Sequence, residues 1–155
     1  MKKAIINLLF ITIIFIVCII IIHFLSISIN ILKYKDDNYY VVNKDKIPSI
    51  YSVIGKRKLY YYKSNNTNDT YIKTYKYKDI DNVKSDINNY IDYLHDNNNY
   101  VYTSDLDFKN DTGSVQLSTN SIDSKKIISI QINYNKNEYE IIITKAYGSI
   151  NYIQD

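Results

Sequence analysis

The chain has 155 residues, 46% of them hydrophobic, yet its mean hydropathy is -0.27, so its apolar residues are concentrated rather than evenly spread. Ile (30), Asn (19), Lys (18) and Tyr (18) dominate while Gly (3), Pro (1), Ala (2), Arg (1) and Trp (0) nearly vanish, the imprint expected of a very AT-rich genome. The formal net charge is +3; one Cys and two His argue against a disulfide framework or a zinc cluster, and the length allows one modest domain.

The apolar excess sits first. Ala4 to Leu25 runs 22 residues without a charge and continues more weakly to Leu32. At about 1.5 Å per residue this crosses the roughly 30 Å hydrocarbon core of a bilayer. A transmembrane anchor is therefore predicted over 1–32, with lipid contact through residues 4–25. Lys2 and Lys3, immediately before the span, predict a cytoplasmic start and an extracytoplasmic body. Cleavage as a signal peptide after Ser28 is the competing expectation, but apolar regions of signal peptides are only about 7–15 residues long. Cys18, in mid-span, reads as a small hydrophobe, and His23 as a residue reaching interfacial water.

Residues 33–49 are polar, mixed in charge and closed by the only proline, Pro48, and read as a tether or loose strand. The extracytoplasmic domain is expected over 50–155. Lys58 to Tyr77 predicts a β-hairpin around a turn-rich SNNTND, with Tyr71, Lys73, Tyr75 and Tyr77 on one face. From Asp79 to Asn98, Val83, Ile87, Tyr90, Ile91 and Leu94 keep the spacing of one helix face, with Asp79 or Asp81 as cap and the Asn97–Asn99 run as stop. After YVYT (100–103), strands over 114–120, 126–134 and 138–146 predict a meander. One face carries Ile128, Ile130, Ile132 and Tyr134 with Tyr139, Ile141 and Ile143. The expected fold is α+β: an N-terminal transmembrane helix, then a small two-layer domain of a β-hairpin, one amphipathic helix and an antiparallel β-meander.

Charge is segregated. Residues 33–78 hold 11 basic and 4 acidic side chains, residues 79–155 hold 6 and 12. Two outcomes are open: the basic half attracts anionic headgroups or cell-wall polymers, or the halves neutralise one another within the fold.

Three constellations are weak as chemistry. Asp111-Thr112-Gly113 copies an aspartic-protease triplet, but Lys109 and Asn110 precede it where an apolar strand is needed, so an ordinary turn is expected. Asp105, Asp107 and Asp111 share one loop, yet Asn110 and Gln116 stand where an EF-hand needs Gly and Glu. His95, without a soluble Cys, is expected to favour the helix C-terminus through its partial charge. No catalytic residue, metal or cofactor is expected. The strongest binding candidate is the basic, tyrosine-rich hairpin, in which Lys56, Arg57, Lys58, Tyr60, Tyr62 and Tyr75 present cations beside stacking rings.

Three stretches, IPSIYSVIGKRKL (47–59), GSVQLSTNSIDSKKIISIQINY (113–134) and YEIIITKAYGS (139–149), resemble in order and spacing the C-terminal domain of uncharacterised single-span, membrane-anchored proteins of low-GC Firmicutes. That resemblance implies an exported domain behind one span and carries no site residues. The expected function is a non-catalytic binding or scaffolding domain at the cell envelope, with an envelope polymer or membrane protein as partner and nucleic acid not expected. The alternative is an accessory module recognising anionic glycan or lipid through the hairpin.

Overall fold

The computed structural model describes residues 2–34, 36–104 and 110–150. Helix α1 (Lys2–Tyr34) is one unbroken element. Its Leu9–Tyr34 stretch is long and apolar enough to cross a membrane by length and composition, a test a signal sequence also passes, and its apolar window is not buried against the protein. Such an isoleucine-rich run holds a helix best in lipid, where the backbone has no water to bond.

The body is α+β. Strands β1 (Tyr39–Val42) and β2 (Asp45–Pro48) form a small antiparallel hairpin, followed by a single turn, α2 (Ile50–Val53). Strands β3 (Lys58–Asn66) and β4 (Tyr71–Lys78), helix α3 (Val83–Asn98), and strands β5 (Val101–Tyr102), β6 (Gly113–Asn120), β7 (Lys126–Tyr134) and β8 (Glu138–Tyr147) complete it. The second sheet has six strands in the order β3-β4-β8-β7-β6-β5, every neighbour antiparallel.

The expected helix face is the buried one: Val83, Ile87, Tyr90, Ile91 and Leu94 all lie in the core. The start differs. Asn82, not Asp79 or Asp81, caps α3, its side chain accepting from the Ser85 N–H at 3.1 Å, and Asn99 ends the helix in the left-handed region at φ 54°. Opposite α3, Ile128, Ile130, Ile132 and Tyr134 of β7 and Tyr139, Ile141 and Ile143 of β8 supply the sheet's buried face, as their alternation predicts.

Two features depart from the sequence reading. Hairpin and meander are one sheet, because β8 returns beside β4. There Lys76 faces Glu140 and Lys78 faces Glu138, and Lys76 Nζ lies 3.1 Å from Glu140 Oε1. Opposite charges directly across a ladder favour this register. Second, the stretch read as a tether carries the β1–β2 hairpin, whose Tyr40, Val42 and Ile47 enter the core. Short alternation over four residues gave little signal, and most of the polar residues around it face water, Asp45 and Ser49 being buried exceptions. The hairpin is pinned by hydroxyls: Tyr40 and Tyr77 oxygens lie 2.7 Å apart, Tyr40 also accepts the Ile50 N–H, and Tyr90 donates to the Pro48 carbonyl at 2.8 Å. Buried phenols need such partners to offset desolvation.

Candidate functional site

The six residues singled out from the hairpin do not form one surface. Tyr75 is 1% exposed, its ring 4.3 Å from that of Tyr40, and it is core, not a platform. Arg57 is committed to Asp86 by a two-pronged pair, Nε to Oδ2 at 2.5 Å and Nη2 to Oδ1 at 2.6 Å; the Asp86 hydrogen bond holds the guanidinium above its usual range. Lys58 reaches Asp79 at 2.5 Å on the exposed rim. Lys56 is exposed.

Tyr60 and Tyr62 diverge because the register shifts between Leu59 and Tyr61. A bulge of this kind inserts one residue and changes which side chains share a face. Tyr60 donates to Glu138 Oε2 at 3.2 Å, with Lys78 Nζ 5.1 Å from its ring centre. Tyr62 instead pairs across the ladder with Tyr75 and lies on the core side. The halves of opposite charge neutralise one another in part: Arg57–Asp86, Lys58–Asp79 and Lys76–Glu140 each join the basic to the acidic segment.

The other sequence candidates are accounted for locally. Asp111 is exposed and lies 3.4 Å from Lys84, and Gly113 opens β6, where a Cβ would come within 2.5 Å of the Tyr134 hydroxyl. Asp105 and Asp107 lie outside the described residues. Among the described residues no three His, Cys, Asp or Glu gather as metal ligands. His95 Nδ1 is 2.8 Å from the Tyr100 carbonyl, and its ring lies 5.1 Å from that of Tyr102, a tie between the end of α3 and β5.

On its core-side face the β3–β4 hairpin opens into a groove of about 640 Å³ lined by Tyr34, Val41, Asn43, Tyr62, Lys63, Ser64, Asn66, Tyr71 and Lys73. Its floor follows from the register: Tyr62 faces Tyr75, Ser64 faces Lys73 and Asn66 faces Tyr71. One wall is β1 and its turn. The other is the last residue of α1, Tyr34, whose ring sits 4.3 Å from Tyr62 and edge-on to Tyr75 at 6.5 Å. Burial, with a hydrogen bond to Tyr34, raises the Tyr62 phenol to about 12.

Lys73 is half-buried here. Its Nζ lies 5.7 Å from the Tyr34 ring centre and 6.0 Å from that of Tyr62, within cation–π range. No carboxylate among the described residues is within ion-pair distance. Burial lowers its pKa; the field of Tyr34 opposes this, Lys33 adds to it and Asp37 opposes it. Outside the groove, Lys33 Nζ lies 5.2 Å from the centre of the same Tyr34 ring. The groove lining thus joins two cations, Lys63 and Lys73, to three phenols, Tyr34, Tyr62 and Tyr71, at the end of the apolar helix, a set suited to holding an anion.

Sequence reasoning took the hairpin strands that carry Tyr62, Tyr71 and Lys73 as the binding candidate but singled out only Tyr62 of the three, and it missed Tyr34 and Ser64. Two signals pointed there: an aromatic beside a lysine at the end of an apolar span, and a lysine interrupting the Tyr71, Tyr75, Tyr77 face. Compared with protein-family models, with curated proteins and with solved structures, the chain finds no match.

Proposed function

We propose that the chain is a single-span membrane protein whose body lies on the extracytoplasmic side and serves there as a non-catalytic binding or scaffolding domain at the cell envelope. The observation that supports it most is the packing of Tyr34, the last residue of α1, on Tyr62 and Tyr75. A domain seated on the end of an apolar helix is held at the membrane surface rather than trailing from it. The orientation rests on Lys2 and Lys3.

Protease added to intact cells tests the placement: digestion of the body with survival of the apolar segment is expected, and full protection until the membrane is opened would overturn it. The lining of the groove by tyrosines, amides and lysines without a carboxylate or imidazole favours a second reading alongside the first, an accessory module for an anionic ligand. It acts through the groove rather than through Lys56, Arg57 and Lys58.

A further inference from the structure

Helix α1 has 33 residues, about 49 Å at 1.5 Å per residue. A bilayer with its headgroup layers measures about 40–45 Å. With Lys2 and Lys3 in one headgroup layer, the Lys33–Tyr34 end reaches the opposite one. The groove that Tyr34 walls is therefore level with lipid phosphates on that side, and this placement rests on the membrane-anchored reading above.

The chemistry of the groove matches that level. Lys73 is a half-buried cation with no carboxylate partner among the described residues, steadied by the rings of Tyr34 and Tyr62. An ammonium removed from water without a counter-ion is costly, and an anion entering the groove relieves that cost. Ser64 stands directly across the ladder from Lys73, and its hydroxyl, which donates to Asn66 Oδ1 only over a long 3.5 Å, can turn to a stronger acceptor. Phenols and long cations are the side chains that suit a wet, anionic interface. Val41 of the groove wall and Tyr39, on the same face of β1, are half exposed, so the rim is apolar enough to lie against acyl chains.

We propose that the groove between Tyr34, Tyr62, Ser64, Tyr71 and Lys73 binds the phosphate of an anionic phospholipid headgroup in the leaflet that α1 enters. The headgroup charge pairs with Lys73, the phosphate oxygens accept from Ser64 and the Tyr71 hydroxyl, and the domain is locked upright on the bilayer. The lipid is a bound structural partner, and no bond is made or broken.

The test uses the full chain in nanodiscs of phosphatidylcholine alone or with phosphatidylglycerol, following thermal loss of the tyrosine near-ultraviolet dichroism. Phosphatidylglycerol is expected to raise Tm by roughly 5 °C, less at high salt. Lys73→Gln abolishes the rise, while Lys73→Arg and Lys56→Gln, the latter outside the groove, retain it. If Lys73→Gln loses its dichroism, the phosphatidylglycerol retained per chain, counted by mass spectrometry from mixed discs for wild type against Ser64→Ala, replaces it; a fall is expected. No rise in the wild type, an equal rise in Lys73→Gln, or unchanged retention in Ser64→Ala overturns the proposal. An equal rise from inorganic phosphate or a soluble anionic glycan in phosphatidylcholine discs overturns the lipid assignment. A chain that leaves the disc fraction overturns the anchor reading itself, whereas one that stays but ignores phosphatidylglycerol overturns only the inference.

Discussion

Lys145 Nζ donates to Asp45 Oδ2 at 2.7 Å across 100 residues of sequence, and both side chains are buried. The pair joins β2 to β8. Asp45 also accepts from the Ser121 hydroxyl and the Ile122 N–H, each at 2.9 Å. Burial pushes the Asp45 carboxyl up, but the hydrogen bonds from Lys145, Ile122 and Ser121 outweigh it and hold the net value below the usual carboxylate range. Removing one partner of a buried pair strands the other. Lys145→Met should lower stability by about 3–5 kcal/mol, and adding Asp45→Asn should restore much of it. Denaturant titration of the full chain in mild detergent checks this, and simple additivity of the two changes would contradict the coupling.

Acid should weaken the same link. Because the folded-state value of Asp45 is lowered, its contribution is present above the unfolded carboxylate range near 3.9 and is lost as pH falls through the folded value. Lys145→Met with Asp45→Asn should therefore show a flatter acid limb than wild type below about pH 4.

Alkali should unfold the domain cooperatively. Burial raises the pKa of Tyr40, Tyr75, Tyr77, Tyr90, Tyr100 and Tyr139, in each case as the largest cause. Stability is intact below the unfolded phenol value near 10 and falls as pH rises from there toward the folded values. Six phenols together remove about 8 kcal/mol per pH unit once ionised in the unfolded chain, which exhausts an ordinary domain's stability within about one to two units. The share of the tyrosinate absorbance that belongs to these six rings should appear in one step together with loss of dichroism. Complete ionisation of all 18 tyrosines with the fold retained would show that these rings are open to water.

Arg57 is expected to matter for folding more than for binding. Arg57→Ala leaves Asp86 with one weak contact, the Tyr139 hydroxyl at 3.5 Å, and should cost about 2–3 kcal/mol. Arg57→Lys should recover less than half, because an ammonium cannot reproduce the two-pronged geometry. Full recovery in Lys would point to charge alone.

Tyr75 and Lys56 should separate sharply in the same assay. Tyr75→Ala opens a cavity beneath Tyr40 and Tyr62 and should cost about 3–5 kcal/mol. Lys56→Ala, on an exposed side chain, should stay within about 0.5 kcal/mol. A large effect at Lys56 would mean that the cluster has a structural role its exposure hides.

The hairpin shows where local pattern ran out. Its two strands and their turn were legible because alternation and Asn-rich punctuation are local properties. Which of Tyr60, Tyr61 and Tyr62 faces the core was not, because one inserted residue reverses the parity and nothing in KLYYYK marks its place. Asn82 in place of Asp79 or Asp81 as the cap of α3 is a smaller instance, since all three side chains suit that position within one short stretch.

By itself the sequence determined the apolar helix, the buried stripe of α3, the isoleucine face of β7 and β8 and the α+β class, since each follows from periodicity within one segment. Only the tertiary structure decided that β8 lies beside β4, that Asp45 meets Lys145, and that Tyr34 closes a groove over Lys73. These depend on contacts between residues far apart in the chain. Their free energy comes from partners that no local window contains, and burial turns the same tyrosine or lysine into core, ion pair or binding surface according to what the fold sets against it.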